Sequence, residues 1–389
     1  MIYLIVFFFL LICVLLFERN IDRRASNIIY FAQFLVLVLF MTLRYRVGGD
    51  VLYYEKAFEF MPSLRTLKFS DIDSQVYQPF WYILNAIVKS VYDDFTFFQL
   101  IHALIINSAF FILINKYCEK RFLAVLVYYI FFYMYFNTEI LRESIAVVIF
   151  LFAYPLIFKK KYIQYFLLCF CAYMFHAFAM ITFLVPVGIL LFRKPIDLRT
   201  GLLIFIVMLI APTLILNIIL KVFTFNEYVE RQLKYYVELE VNVNGILKNI
   251  FDAIPVFMIL LLQTKKKRID PILLPALNFY LIMIILSITV AGASRLSNYF
   301  IFFFFMAAIN TFLTDSDYKL PKVRSQMIVI LALLVISKSF YYTRDMSKYN
   351  YGREAHFYNI YLPYHSVFDP IIDTRRENIF RNSMEENVK

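Results

Sequence analysis

Long apolar stretches alternate with short polar loops along the 389 residues of this chain. The apolar stretches are 2–17, 28–43, 79–92, 96–115, 122–136, 143–158, 162–175, 177–192, 200–222, 249–263, 271–291, 297–314 and 325–341. A helix needs about 20 apolar residues to cross a bilayer, and somewhat fewer where the bilayer is thin. The pattern therefore predicts an all-α, polytopic membrane protein. The first stretch is expected to be a retained helix, because it lacks a basic leader and a small-residue cleavage site.

Basic residues between the stretches indicate which side each loop faces. Six loops are rich in lysine and arginine: Arg19/Arg23/Arg24, Lys116/Lys120/Arg121, Lys159/Lys160/Lys161, Arg193/Lys194/Arg199, Lys265/Lys266/Lys267/Arg268 and Lys319/Lys322/Arg324. The positive-inside rule assigns all six to the cytoplasm. Because three stretches lie between the first two loops, one of them cannot cross, and the short stretch 79–92 is predicted to be a re-entrant or surface helix. About twelve crossings remain, in a transmembrane domain of residues 1–341 with an extracytoplasmic tail of residues 342–389.

Composition agrees with a membrane protein and narrows the function classes. The chain is 62% hydrophobic and 17% charged, against about 45–50% and about 25% in soluble domains. The net charge of +11 is attributed to cytoplasmic loops and anionic lipid, so no nucleic-acid partner is expected. Four cysteines occur without a C-x-x-C pair and are interpreted as small buried hydrophobes. No P-loop, dinucleotide fingerprint or metalloprotease motif is present in the sequence.

The first candidate site follows the second apolar stretch, on the predicted outer face. It contains Arg44, Arg46, the pair Gly48 and Gly49, and Asp50. The arginine fork suits phosphate oxygens, and paired glycines permit close approach of the backbone to a ligand. Asp50 would orient an arginine or take a proton. The alternative is that the arginines extend from a helix end to lipid headgroups.

The second candidate site lies where two short helices are predicted to meet with almost no loop. Asn137, Arg142 and Glu143 fall within two helical turns at the start of the stretch 143–158. A helix N-terminus favours anions, and an arginine there deepens a positive site. The alternative is a capping turn with a local Arg–Glu pair.

Two further outward residues belong to later stretches. The 31 residues of 162–192 give about 46 Å of helix, which is short for two crossings of about 30 Å each. A tight hairpin with its apex near His176 is therefore predicted, and histidine suits proton transfer near neutral pH. Arg295, followed by Tyr299, is the only charged residue between Asp270 and Asp315. Packing is the alternative role for His176.

Two weaker signals remain. The pair Asp71 and Asp73 has the D-x-D spacing by which glycosyltransferases hold a divalent ion, but this spacing is common by chance. Metal-independent chemistry without a cofactor is the expectation. The aromatic segment 361–366 is expected either to line a sugar groove or to dock the tail onto the membrane surface. Composition and spacing alone thus reach an outward-facing site for an anionic, lipid-bound ligand.

With these residues identified, the sequence resembles the EpsG family of Wzy-type polysaccharide polymerases. The resemblance rests on the Arg44–Tyr54 element, Phe136 and Asn137 with Arg142, His176 after an aromatic residue, Arg295 with Tyr299 and Phe300, and Pro363 with Tyr364. Each motif alone is weak, whereas the set spans most of the chain. The sequence departs from the family pattern at Gly49, where Thr or Ser often precedes the aspartate, and at Glu143, where Gln is common.

The resemblance implies a bacterial inner-membrane glycosyltransferase that polymerises undecaprenyl-diphosphate-linked oligosaccharide repeat units outside the cytoplasm. The same lipid-linked oligosaccharide would serve as donor and acceptor, for O-antigen, capsule or exopolysaccharide, with a chain-length regulator as an expected partner. The diphosphate and sugar would be bound by Arg44, Arg46, Asn137, Arg142, Arg295 and Tyr299, and the acceptor proton taken by His176 or Asp50. Glu143 is a third candidate base or an orienter. The alternatives are an O-antigen ligase, a flippase for lipid-linked sugars and an acyltransferase.

Overall fold

The computed structural model describes residues 1–18, 22–72, 77–192, 194–210, 243–266, 270–290, 292–313 and 321–388. Its helices, in chain order, are α1 (Ile2–Phe17), α2 (Arg23–Thr42), α3 (Val51–Phe60), α4 (Phe69–Ile72), α5 (Pro79–Val91), α6 (Phe95–Tyr117), α7 (Arg121–Tyr128), α8 (Met134–Thr138), α9 (Leu141–Phe158), α10 (Tyr162–Tyr173), α11 (Val185–Leu191), α12 (Leu198–Ile210), α13 (Val243–Lys266), α14 (Leu273–Thr289), α15 (Ala293–Ser297), α16 (Ile301–Leu313), α17 (Pro321–Tyr342) and α18 (Thr374–Val388). A π-helical turn, Tyr129–Tyr133, joins α7 to α8. Short 3₁₀ helices occupy Ala177–Leu184, Ser347–Asn350 and Phe357–Ile360.

The all-α prediction is confirmed for the described part of the chain, where β structure is limited to isolated bridges. Within the described residues, four helices are long and apolar enough to cross a membrane, namely α2, α6, α9 and the Val243–Leu262 part of α13. Six shorter apolar helices of 10–17 residues accompany them. The number of about twelve crossings stays a prediction, as does the division into a transmembrane domain and a tail.

The chain forms two compact units. The first contains residues Met1–Val148 together with Tyr342–Lys389, and the second contains Ile149–Tyr341. Unit 2 ends at the residue after which the tail is predicted to begin. The tail itself belongs to the same unit as the first 148 residues.

In unit 1, α2 packs along α6, and α1 packs against α7. Helix α5 has 13 residues, about 20 Å of helix, and buries one face that includes Trp81, Tyr82 and Asn85. Its indole contacts the rings of Tyr54 and Phe98 edge-on, at 5.3 and 5.4 Å. The stretch predicted not to cross is thus an amphipathic helix anchored to α3 and α6 by aromatic packing.

In unit 2, α14 packs against α13, α15 and α16. The predicted hairpin is present: α10 ends at Tyr173, and the chain turns before the 3₁₀ helix that begins at Ala177. The two arms are joined by a hydrogen bond from the Tyr165 hydroxyl to the carbonyl of Thr182. His176 lies at this turn, where the sequence arithmetic predicts the apex.

Candidate functional site

The segment 43–50, which links α2 to α3, is fixed by backbone hydrogen bonds to the tail. The amide of Tyr45 donates to the carbonyl of His365 at 2.8 Å. The amide of Gly48 donates to the carbonyl of Ile360 at 3.1 Å. A loop at a helix end leaves backbone groups that need partners. The tail supplies them, so the conformation of this segment depends on residues more than 300 positions away.

Arg44 is enclosed by protein, with 1% of its surface exposed. Its guanidinium donates to the carbonyl of Met41 and, at 3.1 Å, to the carbonyl of Asn137. The Gln99 side-chain amide donates to the Arg44 carbonyl at 3.2 Å. Burial lowers the pKa of Arg44 to about 10, so the guanidinium stays protonated at neutral pH. Arg44 therefore joins the end of α2 to the end of α8, with donors directed at backbone carbonyls.

Arg46 lies between two carboxylates. Its Nε is 3.2 Å from Oε2 of Glu55 and 3.2 Å from Oε1 of Glu377, on α18 of the tail. Arg376 donates to the Arg46 carbonyl at 3.0 Å and so fixes the backbone there. Burial raises the pKa of Glu55, and the nearby Arg46 charge opposes that shift. An anionic ligand at Arg46 would compete with both carboxylates.

The glycine pair brings the backbone close to the α8–α9 turn. Gly48 has φ +125°, and a Cβ there would lie 2.5 Å from Cβ of Thr138. At Gly49 a Cβ would lie 3.1 Å from Cγ of Glu139. The amide of Asp50 reaches the carbonyl of Thr138 at 3.4 Å. The glycines therefore allow the backbone to approach Thr138 and Glu139 closely, whereas the predicted close approach to a ligand stays a prediction.

Asn137 belongs to a buried hydrogen-bonded cluster. Its Nδ2 donates to the carbonyl of Tyr133 at 2.8 Å and lies 3.2 Å from the hydroxyl of Tyr128. Its Oδ1 accepts from Nδ2 of Asn107 at 3.1 Å. Buried amides need such partners, because an unsatisfied group would cost about 1–3 kcal/mol. Asn137 thus fixes the end of α8 to α6 and α7.

Arg142, the second residue of α9, is half-buried at the other end of this turn. Its Nε donates to the hydroxyl of Tyr54 at 3.3 Å, and its Nη1 donates to Oε1 of Gln78 at 3.2 Å. The guanidinium lies 4.8 Å from the ring centre of Tyr77. A hydroxyl, an amide oxygen and an aromatic ring thus contribute to the orientation of the guanidinium. Glu143, the next residue, is 1% exposed.

His176, in unit 2, is buried at the hairpin turn, with 5% of its surface exposed. Its backbone amide donates to the carbonyl of Ala172 at 3.0 Å. Its imidazole stacks on the ring of Phe178, with the ring centres 5.6 Å apart. The turn and the stacked ring together fix the position of the imidazole.

Arg295, also in unit 2, lies on the five-residue helix α15 and is partly exposed. Helix α15 packs against the 3₁₀ helix that begins directly after His176. Tyr299 is completely buried, and its ring centre is 5.9 Å from that of Phe150. His176 and Arg295 therefore lie at neighbouring elements of unit 2.

The structure thus brings the predicted site residues together in two groups. The first group is in unit 1 and contains Arg44, Arg46, Asp50, Asn137, Arg142 and Glu143. The second group is in unit 2 and contains His176, Arg295 and Tyr299. Their roles in substrate binding and catalysis stay predictions.

Sequence reasoning overlooked His102 on α6. Its Nε2 lies 3.0 Å from the carbonyl of Leu141 and 3.2 Å from Oγ of Ser144. It therefore holds the first turn of α9, directly beside Arg142. A signal was available, because Gln99, His102 and Asn107 place three polar side chains on one side of an apolar helix.

The tail supplies residues that the sequence did not identify. Arg376 is 1% exposed and also donates to the carbonyl of Pro363 at 2.5 Å. The Tyr361 hydroxyl donates to the Glu139 carboxylate, and the Tyr364 hydroxyl donates to the carbonyl of Phe40 at 3.0 Å. The aromatic segment 361–366 thus contacts other parts of unit 1. The two roles expected from the sequence, lining a sugar groove or docking on the membrane surface, stay predictions.

Of the D-x-D pair, only Asp71 belongs to the described residues, and Asp73 lies outside them. Asp71 accepts from the amide of Lys68 at 2.8 Å, as expected of a local turn. Among the described residues, no group of three His, Cys, Asp or Glu side chains is placed to hold a metal ion.

Comparison with known proteins gives one match. The model of the EpsG family matches residues 27–364, which include all nine predicted site residues. Comparison with curated proteins and with solved structures finds no match.

Proposed function

Because this chain belongs to the EpsG family, we propose that it is a membrane glycosyltransferase that polymerises undecaprenyl-diphosphate-linked oligosaccharide repeat units. The reaction would take place on the outer face of the bacterial plasma membrane, in a protein with about twelve crossings. A hydroxyl of the incoming unit attacks the anomeric carbon of the growing chain, a glycosidic bond forms, and undecaprenyl diphosphate leaves. The hydroxyl proton passes to a base on the enzyme.

The observation that carries this proposal is the setting of Arg142. Arg142 lies at the beginning of α9, and its guanidinium is oriented by contacts with Tyr54, Gln78 and Tyr77. A fixed cation at a helix N-terminus is suited to an anion such as a diphosphate. Because the charge on the leaving diphosphate grows in the transition state, a preoriented guanidinium there lowers the barrier. We therefore assign Arg142 to the diphosphate.

The other arginines receive graded roles in the same proposal. Arg46 reaches an anionic substrate only by exchanging Glu55 or Glu377 for it. Arg44 has a structural role in this proposal, because its guanidinium donates to the carbonyls of Met41 and Asn137 and so fixes the two helix ends beside the site. Arg295 and Tyr299 are also proposed to bind the substrate.

Three groups are proposed for the proton transfer. Asp50 directly precedes α3 and lies four residues before Tyr54, which contacts Arg142. Histidine is a side chain suited to proton transfer near neutral pH, and His176 is proposed on that ground. Glu143 is adjacent to Arg142 in the chain and would orient it or take the proton. The pH dependence of the rate in Asp50→Asn and His176→Gln variants separates these roles, because removal of the base abolishes one limb of the profile.

The test is the length distribution of surface polysaccharide in cells that produce Arg142→Ala or Arg295→Ala. We expect the glycan to collapse to a single repeat unit, because units are still exported and attached but no longer joined. Arg121→Ala is the matched control. Its guanidinium also lies 4.8 Å from a tyrosine ring, that of Tyr30, and donates to Ser26, but it belongs to a predicted cytoplasmic loop.

Each outcome of the test has a defined meaning once equal membrane levels are verified. A single repeat unit in the two variants and a normal ladder in the control support the polymerase. An unchanged ladder in both variants excludes a catalytic role for these arginines. Complete absence of surface glycan indicates instead a defect in export or attachment, as expected for a flippase or a ligase.

A further inference from the structure

Unit 1 contains an open cleft of about 380 Å³, and one of its lining residues, Tyr77, also contacts the guanidinium of Arg142. Its lining includes Tyr53, Lys56, Phe60, Asp71, Tyr77 and Tyr82. The volume is within the range of about 300–1,000 Å³ that is usual for small-molecule sites. Sequence analysis singled out none of these aromatic residues as a binding group.

Three tyrosines, together with Phe60, form the aromatic part of the cleft. The ring centres of Tyr53 and Tyr77 are 6.1 Å apart, and those of Tyr77 and Tyr82 are 5.6 Å apart, each pair inclined at 63°. Burial and a hydrogen bond with Tyr53 raise the pKa of the Tyr77 phenol, which therefore stays neutral. The inclined rings give the cleft apolar faces with hydroxyl groups at their edges.

Among the described lining residues, Lys56 and Asp71 contribute one cation and one anion. A diphosphate would prefer an excess of positive charge, and a lipid chain would prefer a lining without charges. A pyranose ring has apolar C–H faces that stack on aromatic rings and a rim of hydroxyl groups that donate and accept hydrogen bonds. The combination in this cleft fits a neutral sugar ring.

Tyr77 links the cleft to Arg142. The same residue that lines the cleft lies 4.8 Å from the guanidinium of Arg142, and its neighbour Gln78 accepts a hydrogen bond from that group. A lipid-linked repeat unit has its first sugar attached directly to the diphosphate. A ligand with the diphosphate at Arg142 would therefore have its sugars near the cleft.

We propose that this cleft is a glycan subsite that binds a neutral sugar ring of the lipid-linked repeat unit by stacking on Tyr53 and Phe60, the aromatic lining residues with accessible surface. The proposal rests on the proposed function, because the substrate class comes from it. The cleft then selects the repeat unit, whereas Arg142 acts on the diphosphate. Tyr77 positions the two parts relative to each other.

The test measures binding of the sugar without the lipid diphosphate. The probe is the water-soluble repeat-unit oligosaccharide, released by mild acid from the cells' own lipid-linked precursor, labelled, and equilibrated by dialysis against the full chain in lipid nanodiscs. We expect saturable binding that Tyr53→Ala weakens about 10-fold, because one stacking ring is lost. Phe60→Ser is the second variant: its side chain is 78% exposed, so the change spares folding, and we expect a smaller loss of about 3-fold.

Tyr92→Ala is the matched control, because Tyr92 is an exposed tyrosine outside the cleft lining. Unchanged binding in this control and weaker binding in both cleft variants support the subsite. Absence of saturable binding to the wild-type chain, or equal binding by the Phe60→Ser and wild-type chains, overturns it. If the cleft variants lose the oligosaccharide while Arg142→Ala leaves the polysaccharide ladder unchanged, the subsite stands and the polymerase proposal fails. If binding is unchanged while Arg142→Ala collapses the ladder, only the subsite fails.

Discussion

Arg44 and Arg142 lie in the same unit near helix ends, yet their surroundings differ. Arg44 is 1% exposed and directs its guanidinium at backbone carbonyls of two helix ends. Arg142 is half-buried, and a hydroxyl, an amide oxygen and an aromatic ring hold it. The first arrangement stabilises the turn that presents the site. In our proposal, the second orients a cation toward the substrate.

The comparison teaches that residue type and position at a membrane boundary do not separate a structural arginine from a functional one. Both residues fit the phosphate-binding pattern in the sequence. The distinction depends on which acceptors the fold brings to each guanidinium. Arg46 is intermediate, because its partners Glu55 and Glu377 are charged and partly exposed. Substitutions that separate activity from stability therefore test the comparison directly.

The largest effect is expected for Arg142→Ala. Loss of a preoriented charge at the leaving group should slow polymerisation about 100-fold or more, with little change in thermal stability. Arg142→Lys should recover part of the rate, because lysine keeps the charge but loses the planar fork. The measurement is incorporation of lipid-linked units by purified protein, alongside a melting curve. A melting temperature that falls as steeply as the rate would assign Arg142 to the structural class.

Arg44→Met is expected to lower stability more than activity, the opposite of Arg142→Ala. Loss of the guanidinium leaves the carbonyls of Met41 and Asn137 without their donor, and each orphaned buried acceptor costs about 1–3 kcal/mol. We expect a lower melting temperature and lower membrane levels, while the rate per folded molecule changes less than in Arg142→Ala. Intact stability together with lost activity would move Arg44 into the catalytic group.

A third prediction concerns the backbone that carries these arginines. Gly48→Ala should destabilise the protein by more than the ~1–2 kcal/mol of an unfavourable backbone conformation, because the new Cβ would also meet Thr138 at 2.5 Å. Gly352→Ala is the matched control, since Gly352 also has positive φ but no atom within 4 Å of the added Cβ. The difference between their melting temperatures measures the close contact. Equal melting temperatures would show that the turn at Thr138 moves freely to accommodate the methyl group.

Much of the fold follows from hydrophobic periodicity, because apolar helices are determined locally. The pattern identified the beginning of α9, the turn at His176 and the short helix α5 before the structure was known. The tertiary partners were less accessible. Glu377 is separated from Arg46 by 331 positions and belongs to a polar helix that resembles any solvent-exposed segment.

The partition of roles within the candidate site was also beyond the sequence. The acceptors of Arg44 are backbone carbonyls, and every residue carries that group whatever its side chain. The sequence therefore gives no sign of which carbonyls Arg44 contacts. His102 was overlooked because apolar neighbours dominate its helix. The aromatic cleft depends on rings from α3, α5 and the loop between them, which adjoin only after α5 packs against α6.

The smallest expected effect concerns Glu55, the inner carboxylate beside Arg46. Its folded pKa is raised above the ordinary value of 4.5, mainly by burial. A raised carboxyl pKa means that folding takes up a proton, so this group's contribution to stability is complete below pH 4.5 and is lost as pH rises through the folded pKa. Glu55→Gln should therefore melt slightly above the wild type at pH 7 and level with it near pH 4. Glu354→Gln, whose parent side chain is 89% exposed, is the control and should track the wild type throughout. If Glu55→Gln melts below the wild type at pH 7, attraction to Arg46 outweighs the cost of burial. Arg46 would then be a structural residue like Arg44. Of these three arginines, our proposal would assign only Arg142 to the substrate.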